Sequence, residues 1–152
     1  MNIKRRAVTQ YHGFAFNSFC VFRDQPVLLD DDGIYKFGYE YTDDDGTEID
    51  SFAEFCATDF GFDNHKHVRS THISYMSTGD LQLEWWADGL TTRAEDVVSE
   101  TTSSNYRNVK IKGNRKVEGT YIQYKVSNID GADFTINGIK AVLVVQNLGK
   151  SN

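Results

Sequence analysis

The chain is poor in the residues that break, staple or anchor a polypeptide. It has one proline and two cysteines in 152 residues. A lone proline argues against a Pro-rich linker and against disorder. Two thiols, Cys20 and Cys56, set no disulfide framework; without a visible secretion route they are expected to be reduced, free and buried. The opening MNIKRRAVTQ has three basic residues but no apolar stretch, so it does not read as a signal peptide. No run of about 18 apolar residues occurs, so no membrane-spanning helix is expected. Gly-rich phosphate loops, a G-x-S-x-G elbow and 20–50-residue repeats are missing as well.

What remains is an acidic, aromatic-rich chain. Hydrophobic residues make up 39% and aromatics 13%, which suits a thin β-structure whose core takes its volume from Phe, Tyr and Trp. The length fits one domain with an added arm or hairpin, and such a domain buries roughly 68–70% of its unfolded surface without a metal or disulfide. The formal charge of −6 disfavours a general nucleic-acid binder, which needs excess Lys and Arg to neutralise phosphates. Charge is uneven: Asp24 to Asp63 holds thirteen acids and one Lys, whereas Tyr106 to Lys116 carries Arg107, Lys110, Lys112, Arg115 and Lys116 with no acid. Two readings stay open: a solvated surface, or acidic and basic faces that steer neighbouring copies or partners together.

The apolar pattern is that of strands. Phe14, Phe16 and the run Phe19 to Phe22 read as a first strand, softly broken at Asn17-Ser18, with a tight turn at Asp24-Gln25. Val27 to Leu29 and Ile34 to Tyr41 flank a turn at Asp32-Gly33, a strong hairpin signal. A second acidic turn follows at Asp43-Asp44-Asp45-Gly46. Ile49, Phe52 and Phe55 fit a helix or an irregular strand; the resemblance described below implies the strand. HKHVRSTHISYM sets Arg69, Thr71, Ile73 and Tyr75 on one face, with Val68, Ser70, His72, Ser74 and Met76 on the other. Leu81, Leu83 and Trp85 alternate with Gln82, Glu84 and Trp86 up to Asp88-Gly89. Thr92-x-x-Glu95 matches a capping box, leaving short helix and strand open there. Val109 and Ile111 alternate with Lys110 and Lys112. A last hairpin joins Ile122, Tyr124 and Val126 to Phe134 and Ile136, and Ile139 to Val145 is apolar enough to be a central strand covered on both faces. The expectation is an all-β protein: an N-terminal arm over 1–10, a β-meander over 11–42, an antiparallel β-sandwich over 43–148 and a tail over 149–152.

Tests for chemistry come out negative. Placing Gly46 or Gly33 at position 6 of an EF-type loop puts Tyr41 or Leu28 at position 1, where calcium needs an oxygen ligand. His65 and His67 form an H-x-H pair, but His72, five residues on, points to the opposite face; His12 is isolated. Among 22 acids nothing selects a catalytic carboxylate pair. Trp85-Trp86 invites a sugar-stacking platform, yet neighbours on a strand face opposite ways, so one Trp in the core and one at a surface is expected. No catalytic, cofactor or metal residue is assigned.

Four stretches, taken in order, carry a family resemblance. They are YHGFAFNSFCVFRDQPVLLDDDGIY (11–35), DGTEIDSF with TDFGF (45–52 and 58–62), KHVRSTHISYMSTGDLQLEWWADG (66–89) and KIKGNRKVEGTYIQYKVSNIDGADFTINGIKAVLVV (110–145). Together they resemble a recurrent type of tailed-bacteriophage virion structural protein. Where that family has Arg before the aromatic strand, this chain has Thr120, with Arg115 and Lys116 earlier. The resemblance implies a non-enzymatic component of the tail or head-to-tail apparatus, made in the host cytoplasm, without cofactors. It would work in contact with other virion proteins and with copies of itself. The Lys4-Arg5-Arg6 arm would order on docking. It implies neither membrane insertion nor specific nucleic-acid binding. A carbohydrate- or receptor-binding β-sandwich module is the alternative.

Overall fold

The computed structural model describes residues 16–38, 43–44, 46–101 and 105–146; the expected arm, tail and His12 lie outside them. Every regular element among the described residues is a β-strand and every pairing is antiparallel. The chain forms two compact units, Met1–Tyr41 and Thr42–Asn152.

The first unit is a three-stranded meander of β1 (Ser18–Phe22), β2 (Gln25–Asp30) and β3 (Gly33–Lys36). The β1–β2 turn falls on Arg23-Asp24, one residue before the expected place. Both have positive φ, 51° and 62°, the type I′ geometry whose twist suits a two-residue hairpin. At the β2–β3 turn the Asn17 side chain donates to Asp31 Oδ1 at 2.9 Å. This contact ties the entry of β1 to the acidic loop.

The second unit contains a small hairpin, β4 (Asp43–Asp44) with β5 (Thr47–Glu48), and two larger sheets. One sheet has the order β6-β12-β8-β9, from β6 (Phe52–Glu54), β12 (Ile122–Asn128), β8 (Leu81–Ala87) and β9 (Arg93–Val98). The other is built on β7 (Lys66–Ser77). Along one side of β7 runs β13 (Phe134–Val145); along the other lie β10 (Arg107–Lys112) and then β11 (Glu118–Gly119). Alternating apolar residues of both sheets meet in one core: Val68, Ile73 and Tyr75 from β7, Leu81, Leu83 and Trp85 from β8, Ile122, Tyr124 and Val126 from β12. Two polar groups bridge this core. Thr71 Oγ1 and the Tyr124 hydroxyl lie 3.0 Å apart, and the Tyr75 hydroxyl donates to the Ser99 carbonyl. Burial pushes the Tyr124 phenol up to about 12 against the opposing pull of Thr71, so it stays a neutral hydroxyl.

Three expectations change, and one reading left open is decided. The 92–95 box is not a helix start; it lies at the head of strand β9, paired with β8 over Arg93 to Val98. The terminal "hairpin" is not one: β12 pairs with β8 and β6, β13 with β7, so residues 129–133 carry the chain from one sheet to the other. Nor is Ile139 to Val145 central. Among the described strands β13 has only β7 as neighbour, and β7 itself is the central strand. Finally, the face assignment of β7 holds only from Thr71 onward. Val142 and Leu143 are consecutive, yet they pair with Ser70 and Val68, leaving Arg69 as the extra residue of a β-bulge. A one-residue slip inverts every side chain beyond it. Val68 and Lys66 therefore point inward and are fully buried, while Arg69 is exposed.

Candidate functional site

None of the described meander residues is buried. Directly opposed residues share a face, so Phe19, Leu28 and Tyr35 line one side, and Leu29 and Ile34, with Cys20 and Val27, line the other. Both sides are apolar and poorly covered: Phe19 is 65% exposed, Val21 62%, Phe22 61% and Ile34 74%. At about 25 cal/mol per Å² such side chains strongly favour removal from water. Clustered apolar exposure of this kind is more than scattered single residues on a monomer's surface present.

Among the described strands the sandwich has one unguarded edge. Open strands invite pairing unless they are short or charged. Strand β6 has three residues, β9 presents Arg93, Glu95 and Asp96, and β10 presents Lys110 and Lys112. Strand β13 has twelve residues and a single charge, Lys140. Its inward residues Phe134, Ile136, Ile139, Ala141 and Leu143 pack on the core but remain only partly buried. These two surfaces are what sequence patterning missed. Alternation reports which residues are apolar, not whether a second layer covers them.

Both indoles of the Trp pair are buried, Trp85 to 1% and Trp86 to 5% exposure. Trp85 lies in the core as expected. Trp86 faces the other way but is capped by the Arg93 guanidinium, 4.3 Å from its ring centroid, so no exposed indole platform exists. His67 and His72 fall on one face after all, because the Arg69 bulge resets the alternation between them; they pair with Val144 and Lys140. Among the described residues no three His, Cys, Asp or Glu side chains are grouped to hold a metal. Cys20 and Cys56 are free but exposed rather than buried.

No family model, curated protein or solved structure matches this chain.

One buried cation invites a catalytic reading and does not sustain it. Lys66 Nζ donates to the carbonyls of Phe62 at 2.6 Å and Thr120 at 2.5 Å, so its protons hold backbone. Nearby, the Asp88 carboxylate accepts the amides of Thr120 at 2.9 Å and Tyr121 at 2.7 Å. Gly119 leaves room for it, since a Cβ there would strike the Asp88 carboxylate and the Ala87 side chain. Burial alone would raise the Asp88 pKa. The Tyr121 and Thr120 amides, then the charges of His65 and Lys66, outweigh it and hold the carboxyl below the ordinary range. A depressed folded-state pKa stabilises above the unfolded value, about 3.9, and that contribution disappears as pH falls through the folded value. Asp88→Asn should therefore melt a few degrees below the native chain at neutral pH. Thermal scans from pH 7 downward should show the gap closing below pH ~4; a constant gap would contradict the role of the charge.

A cleft of about 540 Å³ opens at the end of the sandwich where the chain twice changes sheets. Its lining includes Glu48, Asp80, Glu100, Asp130 and Asp133 and no Lys or Arg. Asp80 Oδ1 accepts the Glu100 amide at 3.0 Å. Arg107 reaches the backbone carbonyl of Glu100 at 3.2 Å rather than a carboxylate.

Proposed function

We propose that this chain is a non-enzymatic structural protein of a tailed-bacteriophage particle, built into the tail or head-to-tail apparatus by contacts with its own copies and other virion proteins. The observation that carries the assembly part is the meander, apolar and exposed on both faces. Burying it against neighbours supplies a non-directional driving force, and the open β13 edge adds directional backbone hydrogen bonds. The phage setting rests on the four ordered sequence stretches. The carbohydrate-module alternative gains nothing from a buried Trp pair.

The test is light scattering of the purified full chain. Assemblies of several copies are expected at micromolar concentration. Phe19→Ser with Ile34→Ser, one change on each meander face, should shift the distribution toward monomer while leaving the sandwich's melting transition in place. A native chain that stays monomeric and is missing from mass spectra of purified particles would overturn the reading. Neighbouring genes for portal, capsid or tail proteins would support it.

A further inference from the structure

The fold sorts scattered charges into two opposed, unneutralised surfaces. Lys110 pairs with His72 across one ladder and Lys140 pairs with His72 across the other. These three exposed residues thus form one row across the outer face of the β10-β7-β13 sheet. With strands about 4.8 Å apart, the outer two lysines of the row lie within roughly 10 Å. Lys112, one ladder step along at Ser70, and Arg69, exposed at the bulge, extend the positive field toward the start of β7. The carboxylate beside this row is Glu118, opposite His67, where it accepts a hydrogen bond from Gln146 at 2.8 Å.

The negative surface lies beyond the other end of β7. From His72 to Ser77 is five residues, about 17 Å of strand, and just past it stand Asp80, Glu100, Asp130 and Asp133, with Glu48 across the cleft. All five are exposed. Among the described residues the ion pairs are Arg93–Glu84 and Lys125–Glu84. Among the described residues neither the cleft carboxylates nor Lys110, Lys112 and Lys140 form an ion pair, and the nearby Arg107 is bonded to the Glu100 backbone carbonyl.

We infer that the basic outer face of the β7 sheet receives the acidic loop end of a second copy, so that copies join head to tail. This rests on the assembly reading above and names the joint. The two patches differ and lie at different places along β7, so the contact is heterologous: each copy keeps one free patch of each sign, and repetition closes a ring or extends a filament. Complementary potential sets the register and speeds encounter. Both patches are solvent-exposed, so salt screens their attraction and the joint must be salt-sensitive.

The experiment compares the full-length native chain with two charge-reversed forms by sedimentation velocity, each confirmed folded by circular dichroism. Lys110→Glu with Lys140→Glu reverses the basic face; Glu100→Lys with Asp133→Lys reverses the acidic end. These residues are exposed and their side chains anchor nothing in the core. Native association should weaken on the order of tenfold or more between about 50 mM and 500 mM NaCl. Either variant alone should associate at least tenfold more weakly than the native chain, and mixing the two should restore association. Association that ignores salt and both reversals would overturn this joint while leaving assembly standing through the apolar surfaces. No restoration on mixing would also overturn it. So would native binding to duplex DNA that is lost in the lysine variant and stronger than self-association. A native chain monomeric under all conditions would overturn the joint together with the assembly reading.

Discussion

Gly113→Ala is expected to destabilise the sandwich by about 4 kcal/mol or more, at the top of the range for single substitutions. Gly113 follows β10 directly, and its amide donates to the Arg69 carbonyl at 2.9 Å, at the bulge of β7. A methyl group there would collide with the Val68 carbonyl and the Arg69 carbonyl carbon. These are backbone atoms of the central strand, so no rotamer change relieves the clash. Either β10 leaves β7 or the bulge is lost, and losing the bulge would turn Val68 and Lys66 outward. Domains of this size are stable by roughly 5–15 kcal/mol, so the variant should show a large fall in urea midpoint or fail to fold. Gly138→Ala is the control: its Cβ meets nothing within 4 Å. Equal midpoints for the two variants would refute the close approach at Gly113.

Trp85→Ala is expected to cost about 3–5 kcal/mol, the usual range for emptying a buried aromatic site. Trp85 is sealed between the sheets, paired with Tyr124 on one side and Ala94 on the other. Its Nε1 is buried with no acceptor among the described residues. Trp85→Phe therefore removes an unsatisfied donor along with part of the volume, and should cost less than half as much. Trp86→Ala should also cost less than Trp85→Ala, because its ring lies on the outer face beneath Arg93 and the space it leaves opens to water. Chemical denaturation of the three variants gives the ranking. Trp86→Ala proving the most damaging would reverse the assignment of core and outer face.

The strands themselves were legible because half-buried strands announce themselves by alternation. Leu81, Leu83 and Trp85, then Ile122, Tyr124 and Val126, all face inward as their spacing requires. Where the reading failed, the missing information was non-local. Asp130-Gly131 marks a turn, but a turn does not say whether the next strand lies beside the last one or in the opposite sheet. Ile139 to Val145 is as apolar as a central strand, and only its pairing shows it to be an edge. Arg69 resembles any other exposed residue of β7 until the ladder beside it reveals the extra position. The same limit applies to charge. Thirteen acids between Asp24 and Asp63 stand out in the sequence, yet among the described ones Glu48 alone lines the acidic cleft. Asp80, Glu100, Asp130 and Asp133 come from separate stretches brought together by the two changes of sheet.

The position of β7 also sets the order in which the sheet can be completed during synthesis. Its partner β13 pairs Val145 with Lys66 and Phe134 with Ser77, so the central strand emerges long before its longest neighbour exists. The β6-β12-β8-β9 sheet meets a similar delay, because β8 must wait for β12. Neither layer can close early, and pairings this distant in sequence fold slowly. For that interval the exposed edge of β7 is a competitor for the edge of any other nascent copy. The central strand is therefore the first of its sheet to be made and the last to be completed.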